Sequence, residues 1–170
     1  MGLKEHHRTA PSAVAVGLIT VSDSRTEATD ESGRLCAELC EKAGHHVAAR
    51  RLVPDDPALV RAAIEEMIAA AAGVQAILVN GGTGISRRDR TFEAVSGMLE
   101  GRLDGFGELF RALSYQEIGS AALLSRALGG IAAGRVVLAL PGSRAAIALA
   151  MEKLVLPELG HLAAEAVKTR

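Results

Sequence analysis

Aromatic residues are scarce in this sequence, which has three phenylalanines, one tyrosine and no tryptophan among 170 residues. Proteins that bind single-stranded nucleic acid stack the bases on aromatic side chains, and this chain has few to offer. An excess of basic charge is also missing, because 19 lysines and arginines stand against 20 aspartates and glutamates. We therefore expect no nucleic-acid partner.

Long apolar runs are absent as well. No stretch approaches the roughly 20 consecutive apolar residues of a membrane-spanning helix, and the first twelve residues are polar and charged, unlike a signal peptide. We expect a cytoplasmic protein with no membrane partner. Residues 1–12 are predicted to form a flexible arm, and residues 13–170 a single domain.

Cysteine is limited to Cys36 and Cys40. Their spacing places both on one face of a helix, but no second cysteine or histidine pair at ligand spacing completes a zinc site. We interpret them as small buried residues. The neighbouring His45 and His46 would point apart in a strand and form no natural chelate, so they receive no role.

Apolar runs alternate with helical patterns from one end of the chain to the other. The first run, residues 13–21, is nearly continuous and rich in β-branched residues, which is typical of a buried parallel strand. The alternation predicts an α/β fold, a three-layer α/β/α sandwich with a mainly parallel sheet. The predicted strands are 13–21, 45–53, 75–79 and 135–140. The predicted helices are 33–43, 57–72, 91–99, 108–114, 120–128, 143–155 and a last one that ends near residue 167. Residues 101–107 are predicted to form a turn, Gly129-Gly130 to break the chain and Pro157 to interrupt the last helical segment.

Four polar or glycine-rich loops each follow a predicted strand. In open α/β sheets, ligands bind at the carboxyl ends of the strands. The loops are therefore expected to converge on one edge of the sheet, and this convergence is stronger evidence for a site than any single motif. They comprise residues 22–25, 54–56, 80–91 and 141–144.

The loop at residues 80–91 carries three glycines, three arginines and one aspartate. Glycines let backbone N–H groups approach a phosphate, arginines supply fixed positive charge, and the lone carboxylate fits a divalent cation that bridges it to the phosphate. This combination favours a nucleotide with Mg²⁺, although a simple glycine turn with solvated arginines remains an alternative. A Walker A loop is excluded because no lysine lies between Lys42 and Lys153, and the dinucleotide spacing G-x-G-x-x-G is absent.

Asp55 and Asp56 stand at a predicted helix start, where capping is the simplest role for either. The functional alternative is that one of them shares Mg²⁺ with Asp89, and the residues alone leave the two readings open. The loops at residues 22–25 and 141–143 are similarly open between ordinary strand-to-helix turns and ligand contacts.

Taken together and in order, these motifs resemble the MoaB/MogA family of molybdenum cofactor biosynthesis proteins over about residues 13–165. Residues 114–119 and the short length resemble MoaB more than MogA. The motifs are Thr20-Val21-Ser22-Asp23, Asp30 with Ser32-Gly33, Pro54-Asp55, Gly81-Gly82-Thr83-Gly84 with Asp89 and Thr91, Gly105-Phe106-Gly107-Glu108, Ser125-Arg126 and Leu140-Pro141-Gly142-Ser143.

The resemblance implies a molybdopterin adenylyltransferase, which moves AMP from ATP to the terminal phosphate of molybdopterin, releases pyrophosphate and uses Mg²⁺. It assigns catalysis and Mg²⁺ binding to Asp55 and Asp89, which decides between Asp55 and Asp56. The implied nucleotide-binding residues are Gly81, Gly82, Thr83, Gly84, Pro141, Gly142 and Ser143, and the implied molybdopterin-binding residues are Ser22, Asp30, Ser114, Ser125 and Arg126.

The resemblance also implies a homo-oligomer, either a trimer or a hexamer, and a molybdenum insertase of the MoeA type as a possible partner. Some MoaB-type members of the family lack adenylylation activity and depart from the pattern in the arginine-aspartate loop. Residues 87–91 keep the pattern of the active members. The alternative is a non-catalytic molybdopterin carrier or assembly protein of the same pathway.

Overall fold

A computed structural model of the chain describes residues 11–70 and 73–168, so most of the predicted arm lies outside the described residues. Within them, the strands are β1 (Ala15–Val21), β2 (His46–Val53), β3 (Ala76–Asn80), β4 (Gly101–Arg102), β5 (Leu128–Ala132) and β6 (Arg135–Leu140). The helices are α1 (Glu31–Lys42), α2 (Pro57–Ala69), α3 (Thr91–Ser96), α4 (Asp104–Ile118), a 3-10 helix (Gly119–Leu124), α5 (Arg144–Ala150), a π-helix (Met151–Val155) and α6 (Leu156–Ala166).

The strands form one six-stranded sheet in the order β2-β1-β3-β6-β5-β4. The first four are parallel, whereas β5 pairs antiparallel with β6 and β4 pairs antiparallel with β5. The chain leaves β1 for β2 on one side and later returns to β3 on the other, so the order reverses between β1 and β3. Such a switch point opens a crevice at the carboxyl ends of the two strands.

Both faces of the sheet are covered by helices, which explains why the central strands are apolar at almost every position. On one face, Val16 and Leu18 pack in a core with α1, α5, the π-helix and α6. On the other face, Ile19 and Val21 pack in a core with α2 and α3. The predicted three-layer sandwich with a mainly parallel sheet is confirmed.

Helix α1 begins two residues before its predicted start and ends one residue before its predicted end. The Asp30 carboxylate accepts the N–H of Gly33 at 2.8 Å, and Gly44 follows the helix with φ of +87°. Cys36 and Cys40 are fully buried in the core beneath α1, as predicted. None of the helices in the described part of the chain is long and apolar enough to cross a membrane.

The region from residue 101 to residue 132 differs from the prediction. The predicted turn at residues 101–107 contains strand β4 and the start of α4, which continues through the whole of the predicted helix at 108–114. Gly129 and Gly130 do not break the chain but lie inside β5. A Cβ on Gly129 would stand 2.5 Å from Leu138 Cδ2, and one on Gly130 would meet the carbonyl oxygen of Gly101. These glycines let neighbouring elements pack close to the strand. In the sequence, glycines with this role look the same as glycines that mark a turn.

Pro157 does not interrupt the last helical segment. It is the second residue of α6, and as a proline it has no N–H to donate to the preceding turn. The π-helix joins α5 to α6 directly before the proline, as a single wide turn inside an otherwise continuous helix.

Candidate active site

The four predicted loops meet at one edge of the sheet, beside the switch point between β1 and β3. The N–H of Ser22 donates to the carbonyl oxygen of Val53 at 2.9 Å, which joins the ends of β1 and β2. The N–H of Gly81 donates to the carbonyl oxygen of Leu140 at 3.0 Å, which joins the ends of β3 and β6. The predicted convergence is therefore observed.

The loop at residues 80–91, called the glycine loop from here on, takes a backbone conformation that side chains would obstruct. Gly81 and Gly82 have φ of +99° and +62°. A Cβ on Gly81 would collide with the carbonyl oxygen of Val21, and one on Gly82 would collide with Thr91 Oγ1 and stand 2.8 Å from an oxygen of the Asp55 carboxylate. Glycine is required here by both conformation and space.

The same loop leaves consecutive backbone donors uncommitted. Within residues 11–70 and 73–168, the N–H groups of Gly82, Thr83, Gly84 and Ile85 donate to no acceptor. Thr83 is buried, and buried N–H groups are nearly always paired. A row of free N–H groups on a glycine-rich turn is a geometry that binds phosphate oxygens.

Asp55 lies beside this row and is half-buried. Its carboxylate accepts the N–H of Arg90 at 3.4 Å. Burial raises the pKa of Asp55, and repulsion from Asp89 and Asp23 raises it further, while the bond from Arg90 opposes the shift. The neighbouring carboxylates give this edge of the sheet a negative charge that a cation would offset.

Asp56 has a different role. Its carboxylate accepts the N–H groups of Ala58 and Leu59 at 2.7 and 3.2 Å, so it caps α2. Capping by Asp56 leaves the carboxylate of Asp55 available to a ligand.

Further side-chain oxygen atoms near Asp55 belong to Asp89 and Thr91. One oxygen of the Asp89 carboxylate accepts the N–H and the hydroxyl of Ser86, at 3.1 and 2.5 Å. Thr91 is fully buried, and its hydroxyl has no hydrogen-bond partner. In the described part of the chain, no three side chains of histidine, cysteine, aspartate or glutamate form a ready metal cluster, so a cation here would need further ligands.

Two of the predicted molybdopterin-binding residues are already engaged by the protein. Asp30 is buried and accepts bonds from Thr20 Oγ1 at 2.8 Å and from Ser32 Oγ at 3.2 Å, besides capping α1. Ser22 Oγ accepts the N–H groups of Ser24 and Arg25 at 3.3 and 3.2 Å. In this structure both stabilise the connection between β1 and α1.

Ser114 and Ser143 line one cavity of about 360 Å³ between α4 and α5. Ser114 is buried, whereas Ser143 is exposed and caps α5 by accepting the N–H of Ala146 at 3.3 Å. The two serines were predicted to contact different substrates, and the structure brings them to the same space. Pro141 and Gly142 lie at the edge beside the glycine loop, since a Cβ on Gly142 would stand 3.0 Å from Gly81 Cα.

Ser125 and Arg126 lie together at the entrance to β5. The N–H of Ser125 closes the turn by donating to the carbonyl oxygen of Ala122 at 2.9 Å. The Arg126 guanidinium contacts the glycine loop, Glu93 and the ring of Phe92. Sequence reasoning gave no role to Phe92 or Glu93, and the only signal was their position directly after Thr91.

Arg25 is another residue to which the sequence gave no role. Its guanidinium contacts Ser32 Oγ and donates to the carbonyl oxygen of Gly142 at 3.2 Å. It therefore connects the segment that follows β1 to the loop that follows β6, across the candidate site. A polar residue in a loop gives no local sign of such a long-range contact.

Comparisons with known proteins agree with this geometry. A family model described as a probable molybdopterin binding domain matches residues 17–161. Molybdenum cofactor biosynthesis protein B of Bacillus cereus is 48% identical over 169 residues, which cover 97% of this chain and 98% of the relative.

Two solved structures are similar over nearly their whole length. A crystal structure of Molybdenum cofactor biosynthesis protein B has a TM-score of 0.89 and 49% identity, covering 93% of this chain and 98% of that one. The tungsten cofactor synthesizing protein MoaB from Pyrococcus furiosus has a TM-score of 0.83 and 39% identity, covering 94% and 100%. The chain therefore belongs to the MoaB/MogA family of molybdenum cofactor biosynthesis proteins.

Proposed function

We propose that this chain adenylylates molybdopterin. An oxygen of the molybdopterin phosphate forms a bond to the α-phosphorus of ATP, the bond from that phosphorus to the oxygen that bridges the α- and β-phosphates breaks, and pyrophosphate leaves. The observation that carries the proposal is the row of uncommitted N–H groups from Gly82 to Ile85 beside the Asp55 carboxylate. The row suits phosphate oxygens, and the carboxylate suits the cation that accompanies them.

The residues present fit a bound Mg²⁺. The carboxylates of Asp55 and Asp89 and the unpartnered Thr91 hydroxyl are hard oxygen donors, which Mg²⁺ prefers. Because Mg²⁺ is ordinarily held by one or two carboxylates together with water and substrate phosphates, no larger protein cluster is required. When bound, the ion would neutralise phosphate charge near the site of transfer.

The protein's own contribution is to orient two anions and offset their repulsion. The molybdopterin phosphate is already anionic, so no strong general base is needed. N–H groups of the glycine loop would hold the nucleotide phosphates, and Arg87, Arg88 and Arg90 on the same loop would add positive charge. Pro141, Gly142 and Ser143 would border the nucleotide, and the cavity lined by Ser114 would receive part of the pterin. Positioning supplies the rest of the rate enhancement.

The relatives support a role in this pathway, because their names refer to molybdenum and tungsten cofactor synthesis. A non-catalytic molybdopterin carrier is the second candidate function. It is favoured by the hydrogen bonds that tie the Asp89 carboxylate to Ser86, because a carrier would not need that carboxylate for a cation.

The protein is also proposed to act as a homo-oligomer, a trimer or a hexamer, and to pass its product to a molybdenum insertase. Large apolar side chains are exposed close together on the second half of α4 and on the 3-10 helix, and such a surface suits contact between copies. Light scattering of the purified protein would give the assembly size. These side chains are Tyr115, Ile118, Leu123 and Leu124.

A single-turnover assay tests the enzymatic proposal. Purified protein is mixed with Mg²⁺, α-labelled ATP and freshly made molybdopterin, beside the Asp89→Ala variant. We expect the wild type to transfer label to the pterin, and the variant to lose about 10²-fold or more of the rate while still binding molybdopterin. Molybdopterin binding without transfer by the wild type would contradict the enzyme and support the carrier.

A further inference from the structure

The Arg126 guanidinium forms its hydrogen bonds with other groups of the protein. Its Nε donates to the carbonyl oxygen of Thr83 at 2.8 Å, and its Nη2 donates to the carbonyl oxygen of Gly84 at 2.6 Å. Its Nη1 donates to Glu93 at 2.8 Å, and the face of the guanidinium stacks on Phe92, 4.6 Å from the ring centre. Two neighbouring edges and one face of the group are therefore occupied.

The two carbonyl groups that Arg126 holds belong to the peptides before Gly84 and Ile85. In a trans peptide the carbonyl and the following N–H point in opposite directions, and no cis peptide occurs in the described residues. By drawing the carbonyls of Thr83 and Gly84 toward itself, the guanidinium turns the N–H groups of Gly84 and Ile85 away from itself. These are two of the four uncommitted donors in the loop.

Glu93 supports this arrangement from α3. Its carboxylate pairs with Arg126, and this bond lowers the pKa of Glu93, so the pair is charged at neutral pH. The Arg126 side chain is only 24% exposed, and its planar fork can span two carbonyls and a carboxylate at once. A lysine, with one point of charge, could not.

We propose that Arg126 is a positioning residue of the glycine loop and does not itself contact molybdopterin. The inference rests on the proposed function, since it takes the glycine loop to be the ATP site. It differs from the role that the family resemblance implies for Arg126, which is contact with the pterin. A guanidinium already committed to two carbonyls and a carboxylate would have to leave them to bind a ligand.

Titration calorimetry of the purified protein separates the two roles. ATP with Mg²⁺ and molybdopterin are titrated separately into the wild type, Arg126→Gln and Arg126→Lys. We expect Arg126→Gln to weaken ATP binding by about 10-fold to 100-fold, the usual cost of losing hydrogen bonds to a charged group, and to leave molybdopterin binding unchanged. Arg126→Lys should recover only part of the loss. Weaker molybdopterin binding with unchanged ATP binding would overturn the proposal.

Two further variants serve as controls. Glu93→Gln keeps the bonds from Arg126 to both carbonyls, so its ATP affinity should fall less than that of Arg126→Gln. Arg61→Gln makes the same chemical change on the exposed surface of α2 and should bind both ligands as the wild type does. Equal loss of both ligands by Arg126→Gln, with Arg61→Gln unaffected, would indicate general disruption of the fold and overturn the specific role.

Hydrogen exchange without ligand distinguishes failure of this inference from failure of the proposed function. The N–H of Thr91 donates to the carbonyl oxygen of Gly82 at 2.9 Å and reports on the order of the loop. Faster exchange over residues 80–91 in Arg126→Gln, but not in Arg61→Gln, would support positioning by Arg126 even if the wild type bound no ATP. Unchanged exchange in this segment would overturn it.

Discussion

The carboxylates of Asp55 and Asp56 are adjacent in the chain but serve different elements. Asp56 accepts the first N–H groups of α2, at 2.7 and 3.2 Å, and stabilises the start of that helix. Asp55 turns toward the glycine loop and accepts the N–H of Arg90 at 3.4 Å. This division allows stability and ligand binding to be tested separately at neighbouring positions.

Replacing Asp55 by asparagine should stabilise the protein and remove its response to Mg²⁺. The pKa of Asp55 is raised in the folded state, chiefly by burial. The folded protein therefore binds this proton more tightly than the unfolded chain, and stability falls as pH rises from the ordinary aspartate pKa through the raised value. Asparagine does not ionise, so the advantage of Asp55→Asn should grow over this pH window and persist at neutral pH. Thermal unfolding from pH 3 to pH 8, with and without Mg²⁺ and ATP, measures both effects.

The matched control is Asp56→Ala. Loss of the cap should lower the free energy of unfolding by about 1 kcal/mol and leave the adenylylation rate unchanged. Denaturant unfolding and the single-turnover assay measure these quantities. The separation of roles would be refuted if Asp56→Ala lost activity while Asp55→Asn retained it.

Gly82→Ala should lower the free energy of unfolding by more than backbone strain alone would. Gly44 and Gly82 both have positive φ, but a Cβ on Gly44 meets nothing within 4 Å, whereas one on Gly82 stands among Thr91 and the Asp55 carboxylate. Gly44→Ala should therefore lower the free energy of unfolding by roughly 1–2 kcal/mol, with ATP binding intact. Gly82→Ala should lower it further and abolish ATP binding. Equal effects of the two substitutions on stability and on ATP affinity would show that Gly82 is required only for its backbone conformation.

Thr91→Val should stabilise the folded protein and weaken its binding of ATP with Mg²⁺. The buried Thr91 hydroxyl has no partner, and an unsatisfied buried polar group costs about 1–3 kcal/mol. Valine has a similar shape without the hydroxyl, so unfolding should become less favourable by about 1 kcal/mol while affinity for ATP with Mg²⁺ falls. Thr91→Ser keeps the oxygen and should bind like the wild type. Unfolding curves and calorimetry test the pair, and undiminished ATP affinity in Thr91→Val would remove Thr91 from the site.

Much of the fold was predictable from local patterns. Strand β1 is an unbroken apolar run because both faces of the sheet are covered, and a run of this kind is visible in the sequence alone. The start of α1 at Asp30 and its end before Gly44 follow from capping chemistry that acts within a few residues. The loops after the parallel strands could likewise be placed at one edge of the sheet from the sequence alone.

The errors occurred where a residue responds to a distant neighbour. Gly129 and Gly130 resemble a break in the sequence, but in the structure they make room for Leu138 and for the backbone of Gly101. Local propensity does not register such contacts, so strand β5 was missed. The same limit hid the contact of Arg126 with the glycine loop, which joins residues more than 40 positions apart.

Local patterns are enough to predict the layered α/β architecture, the family, and the edge of the sheet at which the candidate site lies. Strand burial, helix caps and ordered motifs each depend on short segments of the chain. Three relationships are visible only in the folded protein: Asp56 caps α2 while Asp55 faces the glycine loop, Ser114 and Ser143 share a cavity, and Arg126 donates to the carbonyls of the glycine loop. These relationships depend on the directions of side chains across different elements, and packing sets those directions.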